Sequence, residues 1–229
     1  DKFQNLTYSE AEFRTEALAV KGEYLKNSAN PISKLIETIR NTAFKEHTYK
    51  HTTMGFVEDI DDMPNQLEYS KVFFDRWYRP EKTAVIIVGD VEPEATFEMV
   101  KKYWGNWERG NFIADIPVEP KATGQVYQHI KWESPTQPWL TFAFHGPADD
   151  PNVIDTQAMQ LLLQIYFDST SEVYQDLVTN SQLVDSMFTY APDNKDPALV
   201  YIAARLSDAE NYLTVKQKII DTIVKARTE

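Results

Sequence analysis

Pro117 and Pro120, with Gly124 close behind, fall at the middle of the chain in a run of mixed polar residues that starts at Asn111. Proline has no N–H to give a helix or a ladder, and glycine weakens both, so no regular element can run across this stretch. The chain is therefore expected to fold as two structural units meeting between residues 111 and 124. Its 229 residues suit that division, being about one and a half usual domain lengths.

Ahead of the break the pattern is mostly helical. Ser9 with Glu12 three residues on reads as a capping box, and Phe13, Ala17, Val20 and Tyr24 recur at helical spacing behind it. The Ser28-Ala29-Asn30-Pro31 cluster ends that helix, and Pro31 opens a second whose stripe is Leu35, Ile36 and Ile39. Residues 45–63 lack periodicity and read as a long ordered loop, followed by helices over about 64–78 and 93–104. Between those helices the apolar, β-branched run Thr83 to Asp90 has the pattern of a strand buried on both faces.

Behind the break, strands are expected at 125–132 and 139–145, helices near 152–167 and 171–180, strands near 184–190 and 198–206, and a last helix at 208–226. That mixed order points to an α+β fold, with helices layered on mostly antiparallel sheets.

Composition narrows the function classes. At 42% hydrophobic and 25% charged residues the chain is globular, not disordered. Residues 1–117 carry 15 basic against 20 acidic side chains, and residues 118–229 carry 8 against 15, so neither part can neutralise phosphates. No nucleic-acid partner and no anionic membrane surface is expected. Zero Cys excludes disulfides, thiolate metal sites and Cys nucleophiles. No apolar run approaches the roughly 18 residues of a membrane span, and the opening residues have neither a basic nor an apolar leader segment.

Few residues offer chemistry. Glu16 and Glu23 lie two turns apart on one face of the first helix, beside its apolar stripe; on spacing alone they read as a solvated edge. His47 and His51 have the i, i+4 spacing of zinc ligands, but three Thr and a Gly nearby make a poor helix, and a structural loop role fits better. His129 and His145 have no ligand partners at suitable spacing, and Gly89-Asp90 lacks the glycines of a nucleotide turn. The aromatic cluster Phe73, Phe74, Trp77 and Tyr78 reads as core packing.

Long segments taken in order are more telling. FRTEALAVKGEYLKNSANP, then TAFKEHTYKHTTMGFVEDI, then FFDRWYRPEKTAVIIVGDVEPEATFEMVKKYWGNW resemble the pitrilysin-type zinc peptidases, the family of insulysin and mitochondrial processing peptidase. SEVYQDLVTNSQLV is similar to the same family's following domain. The resemblance implies a processing-peptidase-like metallohydrolase fold and parts of two tandem units. Residues 1–117 would be the C-terminal half of a catalytic unit, and 118–229 the N-terminal part of a non-catalytic one.

In that family two His of an HxxEH helix and a downstream Glu hold zinc, leaving a water position for attack on a peptide carbonyl. Glu23 matches the downstream ligand. Glu16 matches an acid seven residues earlier that supports the site. No HxxEH occurs, and only 22 residues precede Glu23, so the resemblance implies a fragment of a longer polypeptide that lacks the remaining zinc ligands and is inactive alone. The implied activity of the whole is zinc-dependent endopeptidase cleavage of peptides or unfolded segments, and the implied cofactor is Zn2+. The implied partner is the remainder of the polypeptide or a family partner subunit, and a periplasmic or secreted location is expected. The alternative is a non-catalytic paralogue acting as partner or scaffold.

Overall fold

A computed structural model describes residues 3–228. They form two compact units. The first comprises the described residues through Ser28 together with Thr53–Ile116, and the second comprises Ala29–Thr52 and the chain from Pro117 onward. The segment between residues 29 and 52, which carries a helix, thus belongs with the second unit.

The first unit is built from helices α1 (Glu10–Ser28), α3 (Val57–Asp62), α4 (Leu67–Trp77) and α5 (Pro93–Trp104). The capping box forms: Ser9 N and Oγ both donate to Glu12 Oε2, at 2.7 and 2.8 Å, and Glu12 N donates to Ser9 Oγ at 3.3 Å. Ala17 and Tyr24 are the buried residues of α1, which packs on α3 and its Ile60. The long loop expected at 45–63 carries α3 and short turns instead of remaining irregular.

The run from Thr83 to Asp90 is not a strand. Among the described residues no other segment offers it a ladder, Gly89 and Asp90 form a bend, and Ile86 and Val88 are 83% and 91% exposed. A β-branched run sets the backbone conformation, whereas a strand also needs neighbours. The aromatic cluster departs from expectation for the same shortage of cover. Phe73, Trp77 and Tyr78 are partly exposed, with Phe74 and Tyr78 stacked at 4.6 Å and Lys82 Nζ 4.3 Å above the Trp77 ring.

The second unit holds α2 (Pro31–Ala43), strands β1 (Trp139–His145), β2 (Val184–Tyr190) and β3 (Leu199–Leu206), and helices α6 (Asp155–Phe167), α7 (Glu172–Tyr174) and α8 (Tyr212–Thr228). The sheet is antiparallel throughout, in the order β1-β3-β2, with Phe142 opposite Ile202 and Phe188 opposite Ala203. β3 lies in the centre because its sequence LVYIAARL is apolar on both faces. Val200, Ile202, Ala204 and Leu206 share one face and meet Leu163 and Phe167 of α6 and Val215 and Ile219 of α8.

In each helix the two residues lie four apart, which puts them on a single stripe. At the end of β1, Gly146 N donates to Ala198 O at 2.8 Å, and a Cβ on Gly146 would stand 2.5 Å from Val200 Cγ2. Only glycine closes that corner without moving a core side chain. Among the described residues no segment pairs with the strand expected at 125–132, and Tyr127 anchors it on the last helix, its hydroxyl accepting from Tyr212 Oη at 3.2 Å. The architecture is nonetheless α+β, helices on an antiparallel sheet.

Candidate functional site

Glu16 and Glu23 follow from the way α1 packs. Ala17 and Tyr24, seven residues apart, point into the first unit, with Phe13 and Val20 half buried beside them. Glu16 and Glu23 each precede a buried residue, so both stand about 100° round the helix from it, on one exposed flank. Their Cα atoms lie about 10 Å apart along the axis, at 1.5 Å per residue. Neither forms a hydrogen bond or ion pair among the described residues, although other polar residues of α1 do. Lys21 Nζ is 2.8 Å from Asp61 Oδ1, Arg14 Nε pairs with Glu10, and Glu12 is held by Ser9, which lowers its pKa.

These two carboxylates do not by themselves fit a zinc ion, which takes three protein ligands in its open sites and four in its closed ones. Among the described residues no three His, Asp or Glu side chains gather closely enough to hold a metal.

The histidines are accounted for in the second unit. His47 is buried, and its Nδ1 accepts the Tyr49 N–H at 3.0 Å, which places the ring proton on Nε2, 3.5 Å from Asp196 Oδ2. His51 Nδ1 lies 2.8 Å from Thr52 O, so the two rings face different partners and make no shared metal site. His145 Nε2 donates to Ala43 O at 3.0 Å, and its ring packs 4.8 Å from the buried Phe44. His129 is exposed.

One residue here gave no sign in the sequence. Glu119 sits between the two prolines of the central break, and its carboxylate accepts three successive backbone N–H groups: Lys45 at 2.9 Å, Glu46 at 3.0 Å and His47 at 2.9 Å. Desolvation pushes its pKa up, but those N–H bonds, with the nearby His145, outweigh it and hold the carboxyl below its ordinary range. Its neighbours Pro117, Val118, Pro120 and Lys121 are all exposed, so Glu119 is the single polar tether of this stretch.

The α+β fold and the comparison with known proteins define the class, that of the pitrilysin-like peptidase fold. The chain belongs to the M16 peptidase family: residues 66–229 match the profile described as the peptidase M16 inactive domain. It is 27% identical over 206 residues to a protein named zinc protease PqqE of Helicobacter pylori, across 87% of this chain and 45% of that protein.

A crystal structure of a protease from Helicobacter pylori superposes with a TM-score of 0.85 at 25% identity, over 96% of this chain and 53% of the other. A peptidase M16 inactive domain from Pseudomonas fluorescens superposes at 0.81 with 17% identity, over 97% of this chain and 53% of that one. The chain thus spans about half the length of the relatives it matches. Helix α1 precedes the stretch that matches the family profile.

Proposed function

We propose that this chain is part of a zinc-dependent endopeptidase in which Glu23 is one metal ligand and Glu16 supports the site, the remaining donors lying in a longer polypeptide. The observation that carries the reading is the pair itself. Two carboxylates two turns apart stand exposed and uncommitted on the flank of a capped helix whose other face is buried. The relative named a zinc protease supports the choice of metal and of reaction class. In this reading residues 1–117 belong to the catalytic unit and 118–229 open a non-catalytic one, and the substrates are peptides or unfolded segments that reach the paired acids from solvent. Zinc, when bound, would supply the polarised water; this chain's part is to offer one charged oxygen and to hold it on a rigid helix.

A second reading, a non-catalytic paralogue that serves as partner or scaffold, is favoured by the family profile being that of the inactive domain. Zinc analysis of the full-length polypeptide separates the two, alongside turnover of a fluorogenic peptide. Glu23→Gln exchanges a charged donor for a neutral amide and is expected to strip most zinc and activity. Glu16→Gln is expected to cost about 10–100-fold in affinity or activity while zinc remains at saturating metal. Reversed outcomes exchange the two roles, two variants that keep both zinc and activity remove Glu16 and Glu23 from the site, and a full-length polypeptide with neither zinc nor activity leaves the scaffold reading.

A further inference from the structure

Three backbone N–H groups in succession, those of Lys45, Glu46 and His47, point at one carboxylate. Lys45 N lies 2.9 Å from Glu119 Oε1, and Glu46 N and His47 N lie 3.0 and 2.9 Å from Oε2. Successive N–H groups that converge in a turn make a nest, a concavity that holds anions. This turn is well packed: Phe44 and His47 are buried, His47 Nδ1 accepts the Tyr49 N–H, and His145 Nε2 donates to Ala43 O at 3.0 Å. Glu119 is mounted differently. Pro117, Val118, Pro120 and Lys121 stand exposed on either side of it, and residues 105–138 form no helix or strand.

We propose that the 45–47 turn is a carboxylate-binding site which Glu119 plugs from within the chain, and that a carboxylate carried by an extended peptide can take the place of Glu119. The ligand class follows from the plug. A planar carboxylate meets the three donors with its two oxygens, one on Lys45 N and the other shared by Glu46 N and His47 N. Glu119 precedes Pro120, a position biased to extended backbone, so the native occupant is itself an acid on an extended segment. Backbone nests are a known means of capturing peptide carboxylates.

Long-range charge does not bring an anion here. The chain carries a net charge of −12, which repels acidic ligands at a distance, so the affinity has to come from the donors themselves. Burial pushes the Glu119 carboxyl up, yet the three N–H bonds, with His145 nearby, hold it below its ordinary range, and the same donors would favour an exogenous carboxylate. Plug and ligand compete for one set of N–H groups, so binding frees residues 117–121 from the turn. The site needs neither the zinc nor the catalysis of the preceding reading.

The full-length polypeptide with isotope-labelled lysine reports on the site by nuclear magnetic resonance of the Lys45 amide. That resonance is identified by its loss in Lys45→Pro, which the extended backbone of Phe44 accommodates. In Glu119→Ala the turn is unplugged, and N-acetylglycine and acetate are expected to shift the Lys45 amide saturably at millimolar concentration. The wild type binds only through molecules whose plug is open, so its apparent Kd is expected to be about 10-fold higher or more. Glu119→Gln keeps the length of the side chain and one acceptor oxygen, and should fall between the two. N-acetylglycinamide, which lacks the charge, should leave the amide where it is.

Tighter binding of N-acetylglycine than of acetate assigns a peptide C-terminus, and equal binding assigns an acidic side chain; either upholds the carboxylate site. A Lys45 amide that no carboxylate moves in Glu119→Ala or Glu119→Gln overturns it. So does a response as strong in the wild type as in those variants, which would put the binding elsewhere, and saturation by inorganic phosphate alone overturns the ligand class. Because the readout is one backbone amide, a polypeptide that holds no zinc can still pass, and an active zinc enzyme can still fail.

Discussion

Removing the Glu119 carboxylate isolates the one polar contact that fixes the central break. In Glu119→Gln the side chain keeps its length and one acceptor oxygen, but turns an amide NH2 toward backbone N–H donors that meet only oxygen in the wild type. Hydrogen bonds to a charged acceptor are each worth roughly 1.5–3 kcal/mol when buried. Here the Lys45 and Glu46 bonds are exposed and water can replace them, which leaves the part-buried His47 bond as the main loss. After that discount for solvent, about 1–2 kcal/mol is expected at pH 7.

Because the folded-state pKa of Glu119 lies below the unfolded value, its contribution is whole above the unfolded carboxylate range near ~4.3. It is lost as pH falls through the depressed folded value. Urea unfolding of wild type and variant across pH 3 to 7 measures this, following the transition of the sheet-containing unit. The gap should be widest at neutral pH and close toward pH 3. Equal stability at pH 7, or a gap that stays constant down to pH 3, refutes the role given to the carboxylate.

Two further outcomes follow from the packing. Ile219 is fully buried among β3 and the α6 and α8 stripes, so Ile219→Ala should cost about 2–5 kcal/mol in denaturant unfolding, while Leu213→Ala on the exposed face should change stability by less than about 0.5 kcal/mol. Trypsin should cut first at Lys121, which is exposed just past the Glu119 tether, and only later at Arg205 inside the ladder; early cleavage at Arg205 would contradict the register given for β3.

What the chain discloses in sequence depends on how local the physics is. The capping box at Ser9 and the helix opened by Pro31 rest on residues a few positions apart, and each forms where the sequence places it. β1 and β2 match the expected bounds because their alternation is met by β3, apolar on both faces, within the same unit. The runs at 83–90 and 125–132 carry the same signal and form no ladder, since pairing belongs to two segments and propensity to one. Glu119 was illegible for the related reason that its partners lie more than seventy residues away. Glu16 and Glu23 were placed on one flank by helical period alone, but only the resemblance distinguished them from other exposed acids.

The first unit shows the same dependence of pairing on neighbours. It has a single run, Thr83 to Asp90, that is apolar on both faces, and its helices expose Leu18, Leu25, Val72 and Phe97. One strand cannot make a sheet, and helices that bury almost nothing have no sheet to lie on. A chain of net charge −12 that leaves β-branched residues bare on an unpaired segment would expose a template for aggregation.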